Sequence, residues 1–168
     1  MQSGNALYVR SSMTVTFQKL NEHWKTLISK VDVQLGEYLN FGEDCPSSHS
    51  EALSYSIFAG GKRLRPILVL LACEASGGDL KNALPAACAI EMVHTYSLIH
   101  DDLPAMDDDD LRRGKPTNHI QFGEANAILA GDSLLTYAFE VISKDIHPAD
   151  VALKCCSSLA NAAGPVGM

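Results

Sequence analysis

Apolar residues recur every three or four positions through most of the chain, a spacing that places them on one face of an α-helix. The first such stretch covers residues 15–39. Five more follow at 47–59, 66–77, 82–103, 125–142 and 148–164, separated by glycine, proline and polar residues. No segment shows the strict alternation of a β-strand, so the pattern predicts an all-α protein.

Residues 1–12 lack this periodicity, and we expect them to form a disordered or artificially added tail. The remaining residues, 13–168, suffice for one hydrophobic core, so we expect a single domain. Hydrophobic residues make up 46% and charged residues 20% of the sequence, which is typical of globular proteins. The net charge of -7 argues against a nucleic-acid partner, because such a partner requires a basic surface.

Neither a membrane nor an oxidising compartment is indicated. The longest uncharged apolar run, 67–73, is too short to cross a bilayer, and we find no signal peptide. The five cysteines are odd in number and lack C-x-x-C spacing. Cys73, Cys88 and Cys155 lie within helical patterns, where reduced core thiols are typical. We therefore predict a cytoplasmic protein.

Six carboxylates stand close together in one short segment, at Asp101, Asp102 and 107–110. Like charges at this density repel, so a folded protein keeps them only beside solvent or cations. A solvated acidic loop is the ordinary interpretation. Here, however, a helical pattern leads directly into the acids, apolar residues split them, and Arg112 and Arg113 follow. This combination suits a diphosphate bound through Mg²⁺, which takes few protein carboxylates together with phosphate oxygens.

The segment GGKRLRP, residues 60–66, places three cations just before a predicted helix. Pro66 fits the first turn of that helix, whose free N–H groups also favour anions. Together with 112–115, this segment holds six of the thirteen Lys and Arg residues. In an acidic protein, this concentration favours local anion-binding sites over charges that only solubilise a loop.

One face of the helix predicted at 82–103 carries His94, Ser97 and Asp101, which are spaced three and four residues apart. A lone histidine is more often structural than a ligand contact. His94 gains weight because it points the same way as Asp101, two turns away. His100 and His119 lack this alignment, and we predict structural roles for them.

Pro104 determines how the two groups of acids relate to each other. In an unbroken helix, Asp107 would lie about 240° around from Asp101. Pro104 cannot continue the helix, so Asp107 can return toward the same metal ions. We predict that Asp102 assists from the flank and that 108–110 are solvated or lie outside direct contact with the metal.

Three segments resemble motifs of the trans-isoprenyl diphosphate synthases, or polyprenyl synthetases. DDLPAMDDDDLRRGKPTNH (101–119) resembles their first aspartate-rich motif, and GGKRLRP resembles their isopentenyl diphosphate motif. FGEANAILAGDSLL (122–135) resembles the helix that follows. The resemblance runs from about residue 51 to the end and is strongest to bacterial farnesyl diphosphate synthases; two long motifs in the same order rarely arise by chance.

This resemblance implies a helical bundle of the isoprenoid synthase type, of which the chain holds the N-terminal portion. It implies a prenyltransferase that joins isopentenyl diphosphate to an allylic diphosphate. Asp101 and Asp107 would hold Mg²⁺ against the allylic diphosphate, and Arg112 would help to bind that substrate. Isopentenyl diphosphate would be bound by Lys62, Arg65, His94 and Arg113.

The resemblance also implies a product length. Tyr96 and Ser97 would lie at the floor of the product tunnel, and an aromatic side chain there goes with the fifteen-carbon farnesyl product. Tyr96 as a plain core aromatic, and a longer geranylgeranyl product, remain alternatives.

The sequence also departs from the family pattern, because it contains no second aspartate-rich motif and no later basic or Phe-Gln motif. We therefore expect residues 1–168 alone to be inactive. The nearly uncharged helix predicted at 125–142 needs burial on more than one side, and the resemblance implies a homodimer there. Two alternatives are a non-catalytic diphosphate-binding subunit of a prenyl synthase and a class I terpene cyclase, although the cyclases lack the GGKRLRP loop.

Overall fold

The computed structural model describes the backbone of residues 3–167 and the side chains of residues 18–167. Its helices are α1 (Ser3–Tyr38), α2 (Ser47–Ile57), α3 (Leu64–Ala75), α4 (Leu80–Asp101), α5 (Asn118–Phe122), α6 (Glu124–Asp145) and α7 (Ala149–Ala162). A 3-10 turn, Gly42–Asp44, follows α1, and a two-stranded hairpin joins β1 (Leu111–Arg112) to β2 (Lys115–Pro116). The all-α prediction is confirmed. This hairpin is the only strand pair in the described part of the chain.

Several helix ends differ from those that the periodicity predicts. Helix α1 begins at Ser3 rather than near residue 15; no proline lies in 3–14 to stop it. The proposed tail, which includes the undescribed residues 1–2, and the domain start at residue 13 stay predictions. Pro85 lies in the sixth position of α4 and not in its first turn, because the side chain of Asp79 caps the helix earlier, accepting from the N–H of Lys81 at 2.9 Å.

Helix α4 lies at the centre of the fold, where it packs mainly against α3 and α6. Its buried side chains include Met92 and Ile99, which join one core with apolar residues of the neighbouring helices. Small residues on α6 allow a close approach between the two helices. At Gly131, an added Cβ would lie 2.1 Å from Nε2 of His100, so only glycine leaves room for this imidazole.

The hairpin is produced by two consecutive residues at positive φ. Arg113 has φ 54 and Gly114 has φ 77, as a two-residue hairpin turn requires. Leu111 then pairs with Pro116 and Arg112 with Lys115. The turn predicted at 114–117 is therefore part of a short hairpin that fixes the direction of both arginines.

None of the helices in residues 3–167 combines the length and apolar character needed to cross a membrane. All five cysteines are free. Burial raises the pKa of the Cys88 thiol to about 12, so this side chain is an uncharged part of the core.

Candidate functional site

The two groups of acids are brought together where α4 ends. The backbone carbonyl of Asp101, the last residue of the helix, accepts a hydrogen bond from the N–H of Asp107 at 2.8 Å. The carbonyl of Leu103 accepts from the N–H of Met106 at 2.8 Å and from that of Asp108 at 3.2 Å. We call the resulting loop, residues 101–110, the acidic turn. The chain reverses after Pro104, so Asp107 returns to Asp101 at the level of the backbone.

Asp102 differs from the other acids because it is buried, with only 3% of its surface exposed. Arg112 clamps its carboxylate through Nε, which donates to both oxygens at 2.7 and 2.9 Å, and through Nη2 at 2.6 Å. This hydrogen bonding raises the pKa of Arg112 above its ordinary value. Asp102, which we predicted to assist the metal site from the flank, therefore forms an internal ion pair that orients Arg112.

The donor set of the acidic turn fits Mg²⁺ better than it fits a metal held by a complete protein cage. Within the described residues, no three His, Cys, Asp or Glu side chains converge to hold an ion. Asp101 is half-buried and Asp107 is exposed. Hard carboxylate oxygens in small number suit Mg²⁺, which completes its octahedron with water and phosphate oxygens.

A cavity of about 670 Å³ lies between the GGKRLRP loop, α4 and the hairpin. Its wall contains the four side chains predicted to bind the second diphosphate, Lys62, Arg65, His94 and Arg113. They come from three separate parts of the chain: the loop before α3 together with the first turn of that helix, the middle of α4, and the hairpin. The fold thus gathers three fixed cations and one imidazole around a single space, although their ligand stays a prediction.

The absence of a side chain at Gly61 leaves room for the hairpin to reach this cavity. A Cβ added to Gly61 would lie 2.6 Å from Nη1 and 2.9 Å from Cζ of Arg113. The guanidinium group therefore lies directly against the backbone of the GGKRLRP loop. Gly61 also has φ +139, a conformation that L side chains rarely adopt.

His94 is held in an environment that disfavours its charged form. Partial burial is the main cause of its lowered pKa, and Arg65, Arg113 and Arg112 lower that pKa further. The carboxylate of Glu91, one turn earlier on α4, opposes this effect. In the free protein at neutral pH, His94 is therefore an uncharged hydrogen-bonding group.

A second cavity, of about 360 Å³, has Asp101 in its wall and is mostly apolar. Tyr96, Ser97 and Met106 contribute to its wall. Tyr96 is 5% exposed and packs edge-on against His100, with the ring centroids 5.8 Å apart. Burial, followed by the charge of Asp101, raises the pKa of the Tyr96 hydroxyl. Tyr96 thus belongs both to the core and to this cavity.

The histidines with predicted structural roles make internal contacts. Nε2 of His100 lies 3.1 Å from the carbonyl of Ile128, and Nδ1 of the buried His119 lies 3.1 Å from Oγ1 of Thr117. Asn118 does not cap a helix, because its amide donates to the carbonyl of Ala52 and to Oγ of Ser56. Thr117 occupies the cap position of α5 instead.

Sequence reasoning missed the burial of Arg63, which is 5% exposed although its neighbours in the GGKRLRP segment are exposed. Its guanidinium group contacts Asp32 and Glu91. A signal was present, because Glu91 is the only acid between Leu80 and Asp101 in an otherwise apolar helix. Such a carboxylate requires a buried cationic partner.

Comparison with known proteins agrees with this arrangement. A sequence profile described as polyprenyl synthetase matches residues 46–163. The chain belongs to the polyprenyl synthetase family. This polyprenyl synthetase chain is 57% identical over 141 residues to the farnesyl diphosphate synthase of Geobacillus stearothermophilus, covering 82% of this chain and 47% of the relative. It is also 55% identical over 125 residues to the geranylgeranyl diphosphate synthase of Cyanophora paradoxa, covering 73% and 42%.

The fold of the polyprenyl synthetase chain is that of solved family members. It matches an apo FPP/GFPP synthase from Zymomonas mobilis with a TM-score of 0.85 at 44% identity, covering 89% of this chain and 55% of that one. The predicted relationship to the trans-isoprenyl diphosphate synthases and the isoprenoid synthase fold are therefore confirmed. The chain spans about half the length of the curated relatives it matches.

Proposed function

We propose that this chain provides the diphosphate-binding part of a prenyltransferase that joins isopentenyl diphosphate to an allylic diphosphate. One observation carries the proposal: the adjacent arginines connect two differently charged centres. Arg112 is paired with Asp102 in the acidic turn, and Arg113 lies on Gly61 in the wall of the cationic cavity. Two polyanionic substrates bound at these centres lie side by side, as a condensation requires.

The allylic diphosphate binds at the acidic turn, with Asp101 and Asp107 as ligands of Mg²⁺ and Arg112 nearby. Bound Mg²⁺ supplies positive charge that stabilises the departing diphosphate. Arg112 contributes a fixed positive charge to the same leaving group, because Asp102 holds its guanidinium in place. The allylic C–O bond breaks, pyrophosphate leaves with the electron pair, and an allylic carbocation remains.

Isopentenyl diphosphate binds in the cationic cavity through Lys62, Arg65, His94 and Arg113. Its double bond attacks the carbocation and forms the new C–C bond. The proton that is then lost passes to the released pyrophosphate, so no side chain is needed as a base. The apolar cavity beside Tyr96 receives the growing chain and excludes the water that would trap the cation.

For the product, we propose farnesyl diphosphate, because the buried Tyr96 contributes to the wall of the apolar cavity, where its bulk would restrict a longer chain. The competing assignment is a geranylgeranyl product, and close relatives carry both names. The two assignments differ in the size of the space below Tyr96 and not in the charged centres.

We also propose a homodimer that forms through α6. Ile128 and Leu129 on this helix are 43% and 57% exposed, although both are large apolar side chains. A second copy would remove this surface from water. The cytoplasmic location, for which the free cysteines are the support, stays a prediction.

The direct test uses the protein encoded by the complete reading frame. Incubation with Mg²⁺, radiolabelled isopentenyl diphosphate and dimethylallyl or geranyl diphosphate should yield a fifteen-carbon product, sized by chromatography after dephosphorylation. A twenty-carbon product selects the geranylgeranyl assignment. No extended product, despite binding of pyrophosphate, would favour a non-catalytic diphosphate-binding subunit. Residues 1–168 alone should give no turnover, because they span about half of the relatives' length.

A further inference from the structure

Arg63 points in the opposite direction from its neighbours in the GGKRLRP segment. It precedes α3 with φ 49, a left-handed conformation that is uncommon for arginine. Its side chain enters the interior while Lys62 and Arg65, on either side, stay exposed and line the cationic cavity. The backbone reversal at Arg63 thus separates one internal cation from two external ones.

The guanidinium group of Arg63 joins three helices. Nη1 donates to Oε1 of Glu91 on α4 at 2.7 Å, and Nε donates to Oδ1 of Asp32 on α1 at 2.9 Å. Nη2 donates to the carbonyl of Ile57, the last residue of α2, at 2.8 Å. Because the planar fork uses donors on all three nitrogens, lysine cannot reproduce these contacts.

Glu91 makes this arrangement relevant to ligand binding. It is 3% exposed, and it contributes the only carboxylate to the described wall of the cationic cavity. It also lies one turn from His94 on α4. Without a partner, this carboxylate would place a buried negative charge beside a space that must accept an anion.

We propose that Arg63 is a positioning residue for the diphosphate cavity, acting in two ways. It anchors the cationic loop to α1, α2 and α4, which fixes the positions of Lys62 and Arg65. It also neutralises Glu91, which removes the one repulsive charge from the cavity wall. This inference rests on the proposed function, because it assumes that the cavity binds a diphosphate group.

The test measures the dissociation constant of inorganic pyrophosphate by isothermal titration calorimetry, without metal, on the 168-residue chain. We expect Arg63→Met to weaken binding by about tenfold or more, because Glu91 then stands unpaired. Arg63→Met combined with Glu91→Gln should recover at least about threefold of that loss, because no charged carboxylate then remains in the described cavity wall. Val141→Ala, a core change outside the cavity wall, serves as the matched stability control and should leave the affinity unchanged.

Each outcome separates the inference from the function beneath it. If wild type binds pyrophosphate and folded Arg63→Met binds it equally well, Arg63 has no positioning role. If the double variant binds pyrophosphate no more tightly than Arg63→Met does, neutralisation of Glu91 plays no part in binding. If Arg63→Met does not fold, the double variant is compared with wild type, and equal affinity overturns the anchoring of Lys62 and Arg65 by Arg63. If neither wild type nor Lys62→Ala binds pyrophosphate, the cavity is not a diphosphate site, and the proposed function is wrong as well.

Discussion

The acidic turn contains six aspartates, and the structure separates the buried Asp102 from five whose side chains are partly or fully exposed. Asp102 is 3% exposed and receives three short contacts from Arg112, whereas Asp107 is exposed. We therefore expect Asp102→Asn and Asp107→Asn to affect different properties of the protein. The first should reduce the free energy of unfolding, and the second should reduce only ligand binding.

The size of the effect follows from the exposure of each partner. Removing one member of a buried ion pair costs about 3–5 kcal/mol, because the other charge stays buried. The side chain of Arg112 is 31% exposed, so water can rehydrate part of its charge, and we expect about 3 kcal/mol for Asp102→Asn. Asp107→Asn changes an exposed carboxylate among like charges, and we expect its effect on stability to stay within about 0.5 kcal/mol.

Urea denaturation, followed by circular dichroism and by fluorescence of the single tryptophan, Trp24, measures both effects. With a slope of about 2 kcal/mol per molar urea, Asp102→Asn should lower the midpoint by about 1.5 M. Calorimetric titration with Mg²⁺ and pyrophosphate together should show weaker binding for Asp107→Asn. The reasoning is refuted if Asp102→Asn unfolds within about 0.5 kcal/mol of wild type, or if both variants lose equal stability.

Three further outcomes are expected. In the protein from the complete reading frame, Tyr96→Ala should shift chromatographically sized products toward longer chains, because it removes bulk from the apolar cavity; unchanged lengths would exclude Tyr96 as the floor. Gly61→Ala should weaken pyrophosphate binding severalfold, because the added Cβ displaces Arg113, whereas Gly36→Ala, which has open space, should not. Because the pKa of His94 is lowered, the free protein holds this side chain neutral at neutral pH, and a bound diphosphate should draw a proton onto it. Titrations in buffers of different ionisation enthalpy should therefore show less proton uptake for His94→Asn than for wild type, and equal uptake would contradict this assignment.

The same lowered pKa has a consequence for stability. The unfolded chain binds a proton at His94 more readily than the folded chain does, so this residue favours folding above its ordinary pKa. Its contribution falls as the pH drops through the ordinary value of about 6.5 and levels off below the folded pKa. A diphosphate bound beside His94 should weaken this trend, because it would stabilise the charged form.

The helices could be predicted from the sequence because their periodic stretches are long and are separated by glycine and proline. The end of α4 was predicted to within two residues of Asp101, and the return of Asp107 followed from Pro104. The convergence of His94 and Asp101 on one face also follows from helix geometry alone. These features depend on residues that are close in sequence.

The roles of chemically identical residues could not be predicted in this way. Asp101 and Asp102 are neighbours with the same side chain, yet only Asp102 meets the arginine that the hairpin delivers. Lys62 and Arg63 are both cations, yet only Arg63 meets carboxylates from α1 and α4. Both choices depend on contacts between distant segments, 28 residues apart for Arg63 and Glu91. Periodicity carries no information about such contacts.

Backbone conformation explains why these contacts leave so little trace in the sequence. Among the described residues, three that are not glycine have positive φ: Arg63, Asp108 and Arg113. All three lie in the two charged segments, Arg63 in 60–66 and the other two in 101–119, at points where the chain turns. Such conformations are usually signalled by glycine, asparagine or aspartate, so the arginines at 63 and 113 conceal their turns. Each such conformation costs of order 1–3 kcal/mol unless the surrounding contacts compensate. At Arg63, the compensating contacts are three hydrogen bonds to buried or partly buried groups. These conformations direct the cations of the charged segments before any ligand arrives, and fixed cations are what a preorganised anion site requires.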